Sequence, residues 1–187
     1  MSEAKQSNPS NPPLPSDVAA IRARARRHIE EGAVTPSYNA NKEVVLKLLN
    51  EALATELVCV LRYRRHYFMA QGMVAEAVKK EFLVHSQEEQ GHADKIAERI
   101  VQLGGEPDFD PKSLTARSHA EYVAGSSLED MIKEDLIAER IAIESYREMI
   151  AYMNVHDPST RRMLEGILAV EEEHAEELSS MLHMTRK

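Results

Sequence analysis

EEQGHADKIAERI at residues 88–100 and VEEEHAEEL at residues 170–178 each set a Glu-x-x-His pair inside an apolar helical repeat. Residues three apart share one face of a helix, so Glu89 stands with His92 and Glu171 with His174. The same period runs outward from both motifs, through Val78, Phe82, Ile96 and Leu103 in one segment and Leu164, Ile167, Leu178 and Met181 in the other. Each stripe seeks a core, yet each is interrupted at mid-length by a carboxylate and an imidazole. One such motif carries little weight, because glutamate is abundant and a solvated pair on an outer face is the ordinary alternative. Two of them, each on an apolar stripe, require a common partner.

Two further segments supply matching seams. From 41 to about 70 the inward residues are Val45, Leu49, Ala52, Val60, Tyr63 and Tyr67, with Glu56 among them. From Ser127, which with Asp130 resembles a capping box, to about 153 they are Met131, Leu136, Glu139, Ile143, Tyr146 and Ile150. An isolated buried carboxylate shifts its pKa or destabilises the fold, so four of them imply bound cations. One glutamate from each of two helices and Glu-x-x-His from each of the others is the ligand inventory of a di-iron or di-manganese site inside a four-helix bundle. Four carboxylates, two neutral imidazoles and two divalent cations sum to zero charge. Mixed oxygen and nitrogen donors suit iron or manganese, and zinc would bind without redox activity.

The spacing is internally repeated: Glu56 to Glu89 is 33 residues and Glu139 to Glu171 is 32. Tyr63 follows Glu56 by seven and Tyr146 follows Glu139 by seven, so two similar helix hairpins carry one tyrosine each, two turns beyond a ligand. Tyr146 is read first as core packing and only second as a redox partner. His85 shares the inner face of Glu89 and His92 and is read either as a hydrogen-bonded core histidine or as an iron-transfer ligand. Glu88 either accompanies it or is simply exposed. Glu172 and Glu173 read as a solvated face, and Cys59 as a small buried hydrophobe.

The rest of the 187 residues fits an all-α chain with one main domain. The composition is 43% hydrophobic, with no Trp and 7 Gly, which favours long amphipathic helices. Residues 1–15 are rich in Pro, Ser and Asn and predict a disordered, mobile arm. Asp17 caps a short basic helix over 17–31, ended by Gly32 and Pro36. The domain division expected is therefore 1–40 for arm and basic helix and 41–187 for the bundle. The helices run 41–70, 74–103, 127–153 and 158–184, with Gly104-Gly105 and Asp157-Pro158 marking boundaries. Residues 104–126 form a long crossover between the second and third helices, with room for one helical turn. No apolar run approaches the length of a membrane span, and a single cysteine allows no intrachain disulfide, so a reducing, cytoplasmic setting is expected. Net charge is −8, but residues 1–28 carry +3, leaving −11 on the remainder and little general affinity for nucleic acid.

With these residues in place the chain resembles the ferritin-like superfamily, and most closely bacterioferritin and the Dps-like mini-ferritins. LNEALATELVCVLRYRRHYF (49–68) looks like the first bacterioferritin helix, and DLIAERIAIESYREMI (135–150) like the third. The resemblance covers about residues 41–180. It implies Glu56 and Glu139 as terminal carboxylates, Glu89 and Glu171 as bridges, His92 and His174 as nitrogen ligands, and Tyr63 as a redox-active or hydrogen-bonding neighbour. It also implies ferroxidase chemistry, in which two Fe²⁺ ions per subunit are oxidised by peroxide or dioxygen and the Fe³⁺ is stored in a homo-oligomeric shell.

Departures from the pattern adjust that expectation. Bacterioferritin takes haem on a methionine two residues before the second-helix histidine, where this chain has Gln90, so no haem is expected. Bacterioferritin also continues into a fifth helix that helps build a twenty-four-subunit cage, whereas this sequence stops 13 residues after His174 and adds an N-terminal helix. A twelve-subunit shell of the Dps-like type is preferred. His85 stands where bacterioferritin has an acidic residue. The competing readings are a peroxide-consuming enzyme of the manganese-catalase or rubrerythrin type, and a Dps-like protein that protects DNA through Arg22, Arg24, Arg26 and Arg27.

Overall fold

The computed structural model describes residues 17–72 and 75–185, so the arm expected over 1–15 lies outside the described residues. The described regular structure is entirely helical: α1 (Val18–Ala25), a 3₁₀ turn (Ile29–Glu31), α2 (Lys42–Met69), α3 (Ala75–Gln102), α4 (Leu114–Arg117), α5 (Leu128–Met153) and α6 (Pro158–Thr185). The chain divides at Ser37–Tyr38 into two compact units, and the second holds the four long helices.

In the first unit the basic helix is shorter than the expected 17–31. Asp17 caps it as anticipated, accepting from the amides of Ala19 and Ala20, but it ends at Ala25 and His28 turns left-handed at φ 50°. None of its residues is buried. An eight-residue helix has no length to offset its nucleation cost and here no packed face to extend it.

In the second unit each long helix begins or ends where a side chain or glycine satisfies its orphan backbone groups. Asn41 accepts from the Val44 amide and Ser127 from the Asp130 amide. At the end of α3 the Gly104 amide bonds to the Val101 carbonyl and Gly105 to that of Ile100, with Gly104 at φ 74°, the left-handed closure that glycine makes cheaply. Asp157 caps α6 through the Thr160 amide (2.9 Å) and also receives Tyr38 Oη (2.9 Å) and Arg99 Nη2 (3.0 Å). This one carboxylate therefore ties the chain before α2, the end of α3 and the start of α6 together. Asp157→Ala removes the cap and strands a largely buried guanidinium, so a loss of about 3 kcal/mol is expected in chemical denaturation. A loss below about 1 kcal/mol would show the junction to be incidental.

α2 packs along α3 and α5 along α6, and the two hairpins meet α2 to α5 and α3 to α6. Val45, Leu49, Leu53, Phe82, Ile96, Ile100, Leu164, Ile167 and Leu178 fill the core. Val60, Tyr67, Leu136 and Ile150, read as inward, sit half-buried at the edges of their seams.

The crossover follows the flank of α2 and contains the single helical turn α4. Asn50 reaches the Glu106 carbonyl and accepts from the Asp108 amide, Arg62 Nη1 donates to the Glu121 carbonyl (3.0 Å), and Arg65 and His66 both reach the Ala124 carbonyl. Arg117 returns the contact, donating to the carbonyls of Asn50 and Asp108. Under it lies a buried charged group absent from the sequence reading: Arg62 Nε donates to Asp135 Oδ1 (2.8 Å), and Asp135 Oδ2 lies 2.8 Å from His66 Nδ1.

Candidate metal centre

Glu56, Glu89, His92, Glu139, Glu171 and His174 come from four different helices and are each no more than 2% exposed. Their donor atoms fall into two groups, Glu56–Glu89–His92–Glu171 and Glu89–Glu139–Glu171–His174, each within 4.8 Å. Glu89 and Glu171 belong to both. The two groups are thus adjoining cradles with two common walls, arranged about the pseudo-two-fold relation that the 33- and 32-residue spacings suggest.

Both imidazoles turn Nδ1 inward. His92 Nδ1 lies 2.9 Å from Glu171 Oε1, 3.3 Å from Glu89 Oε2 and 3.4 Å from Glu56 Oε2. His174 Nδ1 lies 3.4 Å from Glu171 Oε2 and 3.6 Å from Glu89 Oε1, while its Nε2 is 2.8 Å from Glu88. Glu88 is exposed, and it sets the ring of His174 from behind, as carboxylates commonly do for metal-binding histidines.

The outer carboxylates are held crosswise. The Tyr63 hydroxyl on α2 donates to Glu139 on α5, and the Tyr146 hydroxyl on α5 donates to Glu56 on α2. Tyr146 is therefore the counterpart of Tyr63 and does more than fill volume. His85 is fully buried, with Nδ1 3.3 Å from the Tyr63 oxygen, Nε2 2.9 Å from Glu177, and its ring stacked on His174 at 4.0 Å between centroids. Cys59 is buried, and burial pushes its thiol well above the ordinary range.

Electrostatics show how unfavourable the cluster is with protons alone. Burial, then the charges of Glu171 and Glu89, raises the carboxyl of Glu56; burial, then Glu89 and Glu171, raises that of Glu139. Burial opposes the charged form of Glu89 too, but the facing imidazole of His174 and the hydrogen bond from His92 outweigh it and hold this carboxyl well below the usual range. Burial likewise disfavours the imidazolium forms, yet Glu171, Glu56 and Glu89 push His92 up to about 12, and Glu171 and Glu89 push His174 up to about 10. Burial and then the neighbouring His174 lower His85. Burial, followed by Glu139 for Tyr63 and Glu56 for Tyr146, raises both phenols, so both remain donors.

Even then the hydrogen-bond inventory does not close. Among the described residues, the buried side-chain atoms without a hydrogen-bond partner are Glu56 Oε2, Glu89 Oε1, Glu139 Oε2, both oxygens of Glu171 and His174 Nδ1. All of them are inward-facing donor atoms of the two groups. Leaving buried carboxylate oxygens unsatisfied is costly, and cations are the partners that oxygen and imidazole donors in this number would satisfy together.

Gln90, read as replacing a haem ligand, bonds to Asp94 (2.9 Å) one turn along α3. Glu172 and Glu173 are exposed. Among the described residues no helix is long and apolar enough to cross a membrane.

Comparison with known proteins gives the same architecture. Residues 46–187 match the Ferritin-like domain. The chain is 29% identical over 144 residues to a bacterioferritin of Rhodobacter capsulatus, covering 75% of this chain and 83% of that protein. It is 32% identical over 142 residues to a nutrient stress-induced DNA-binding protein of Synechococcus, covering 72% and 78%. Among solved structures, a dodecameric thioferritin, the bacterioferritin-related protein from Bacteroides fragilis, superposes with a TM-score of 0.76 at 30% identity over 79% of this chain and 89% of that one. The family match spans most of the chain and its helices carry the fold of these relatives, so the protein belongs to the ferritin-like domain family.

Proposed function

We propose that the protein oxidises Fe²⁺ at the paired Glu/His centre, using peroxide or dioxygen, and stores the resulting Fe³⁺ inside a shell of identical subunits. The observation that carries this reading is the pair of donor groups sharing Glu89 and Glu171, whose inward oxygens find no hydrogen-bond partner. Iron is here the substrate: two Fe²⁺ surrender two electrons, which with two protons convert one peroxide to two waters. Glu89 and Glu171 hold the pair together, Glu56 and His92 complete one side, and Glu139 and His174 complete the other. Tyr63 and Tyr146 fix the outer carboxylates, so that the donors need not reorganise when the metal charge changes. Gln90 offers no thioether, and no haem enters the proposal. The dodecameric relative supports a twelve-subunit shell.

An anaerobic Fe²⁺ titration in weak buffer at neutral pH tests the centre. Binding is expected to saturate at two ions per subunit, one for each donor group, and to release protons, because the carboxylates of Glu171, Glu89 and, for His92, Glu56 hold protons on His92 and His174 at neutral pH. Affinity should consequently fall as the pH is lowered. Added peroxide should then give ferric absorbance, and further aerobic loading a soluble core within a particle whose native mass reads the shell. Iron that never exceeds the paired sites in an assembled particle would rule out storage.

A further inference from the structure

The paired centre is the inner end of a longer series of donors. Outside it lie two more groups of metal-binding residues, His85–Glu139–His174 and Glu81–His85–Glu177. Each group shares members with the next: His85 joins the outer two, Glu139 and His174 join the second to the centre, and Glu89 and Glu171 span the centre itself. Accessibility falls along the series, from exposed Glu177 and half-buried Glu81 to His85 and Glu139, which are fully buried.

Helix geometry explains the alignment. On α3 the donors Glu81, His85 and Glu89 follow at intervals of four, and on the facing α6 Glu171, His174 and Glu177 follow at intervals of three, so each step is about one helical turn, roughly 5 Å. The His85 ring bridges the two helices, stacked on His174 at 4.0 Å and bonded to Glu177 at 2.9 Å. Within the second group Glu139 Oε2 and His174 Nδ1 lie 4.0 Å apart, and both lack a hydrogen-bond partner. The outer end opens into a groove of about 450 Å³ lined by Glu81, Glu173, Glu176 and Glu177 with Met181 and Met184. Carboxylates of one sign around such a groove concentrate cations at its mouth.

A divalent ion stripped of water cannot cross an apolar interior without continuous compensation. Overlapping donor groups provide it, since the ion exchanges one ligand at a time. Among the described residues no other group of this kind adjoins the centre.

We propose that Glu81, His85 and Glu177 form a loading site for a divalent cation, from which the ion passes between His85, Glu139 and His174 into the paired centre. This rests on the centre's being a metal site, as set out under the proposed function. The site is a hard, partly hydrated one with two carboxylates and one imidazole, so it binds more weakly than the centre and releases the ion inward.

Co²⁺ is the probe, because its d–d absorption and binding heat report ligation with no turnover. In the full-length protein, calorimetry is expected to resolve a tight class for the centre and a weaker additional one for the loading site. The double variant Glu81→Gln/Glu177→Gln should lose the weaker class, fill the centre roughly tenfold more slowly in stopped flow, and end at the same final spectrum. Glu173→Gln/Glu176→Gln removes the same charge from the same groove and should load like the parent protein. Unchanged loading and retained weak binding in Glu81→Gln/Glu177→Gln would overturn the proposal. So would equal slowing in the control pair, which would reduce the effect to the field of the groove. Absence of the tight class in the parent protein would instead overturn the reading of the centre.

Discussion

Glu171→Gln is expected to abolish paired metal binding and to slow Fe²⁺ oxidation by about a hundredfold or more, because the substitution strikes both donor groups at once. An amide keeps the shape of the side chain but supplies no charge, and with it the sum of carboxylates no longer balances two divalent ions. Loss of an outer ligand such as Glu56 should be milder, leaving the Glu89–Glu139–Glu171–His174 group to bind one ion. The measurement is an anaerobic Fe²⁺ titration on the correctly assembled, helical variant, followed by the rate of ferric absorbance after peroxide. A variant that still takes up two ions with parent affinity would remove Glu171 from the bridging role.

Asp135→Ala should be the most destabilising single change outside the centre. Asp135 is the carboxylate that compensates Arg62, and burial of both is nearly complete at 0% and 1% exposure. Arg62 stays charged: burial opposes its charge, but the Asp135 carboxylate beside it favours the charged form. Removing Asp135 leaves that charge in the interior and His66 Nδ1 without its acceptor, at a cost of about 3–5 kcal/mol. For a chain of this size the thermal midpoint would fall by roughly 10 °C. Replacing both partners, Arg62→Met with Asp135→Ala, should be less damaging than Asp135→Ala alone, because no uncompensated charge remains. If the double variant proves the less stable, the penalty is not that of an orphaned guanidinium.

These two sites differ in how legible they are from sequence. The six inward donors stand out because each breaks an apolar seam at a place the helical period marks as core, and the pairs repeat at nearly the same separation. The four long helices are legible for the same reason, and their ends follow from Asn41, Ser127, Asp157 and Gly104-Gly105. The Arg62–Asp135–His66 group was missed although its spacing is regular: Arg62 and His66 are four apart, as are Asp135 and Glu139. Helical wheels place these residues at the seam's margin, where arginine and aspartate usually reach water. The crossover lying over α2 helps to enclose them, and its path is not written in any periodicity. The hydrogen bond of Tyr146 to Glu56 was half visible, since the seven-residue offset matches that of Tyr63, but the crossing from hairpin to hairpin depends on tertiary packing. The short basic helix was overextended because propensity alone cannot show that a segment lacks a packed face.

The crossover carries a consequence for how this chain can change over generations. Most of its tethers run from side chains of α2 to main-chain carbonyls and an amide at Glu106, Asp108, Glu121 and Ala124. Every residue presents those carbonyls and every one but proline the amide, so α2 grips the loop largely through its main chain, with Arg117 as the loop's own side-chain contact. Substitutions in much of the crossover should drift freely without redirecting it, whereas Asn50, Arg62, Arg65 and His66 carry the inherited instruction for its route.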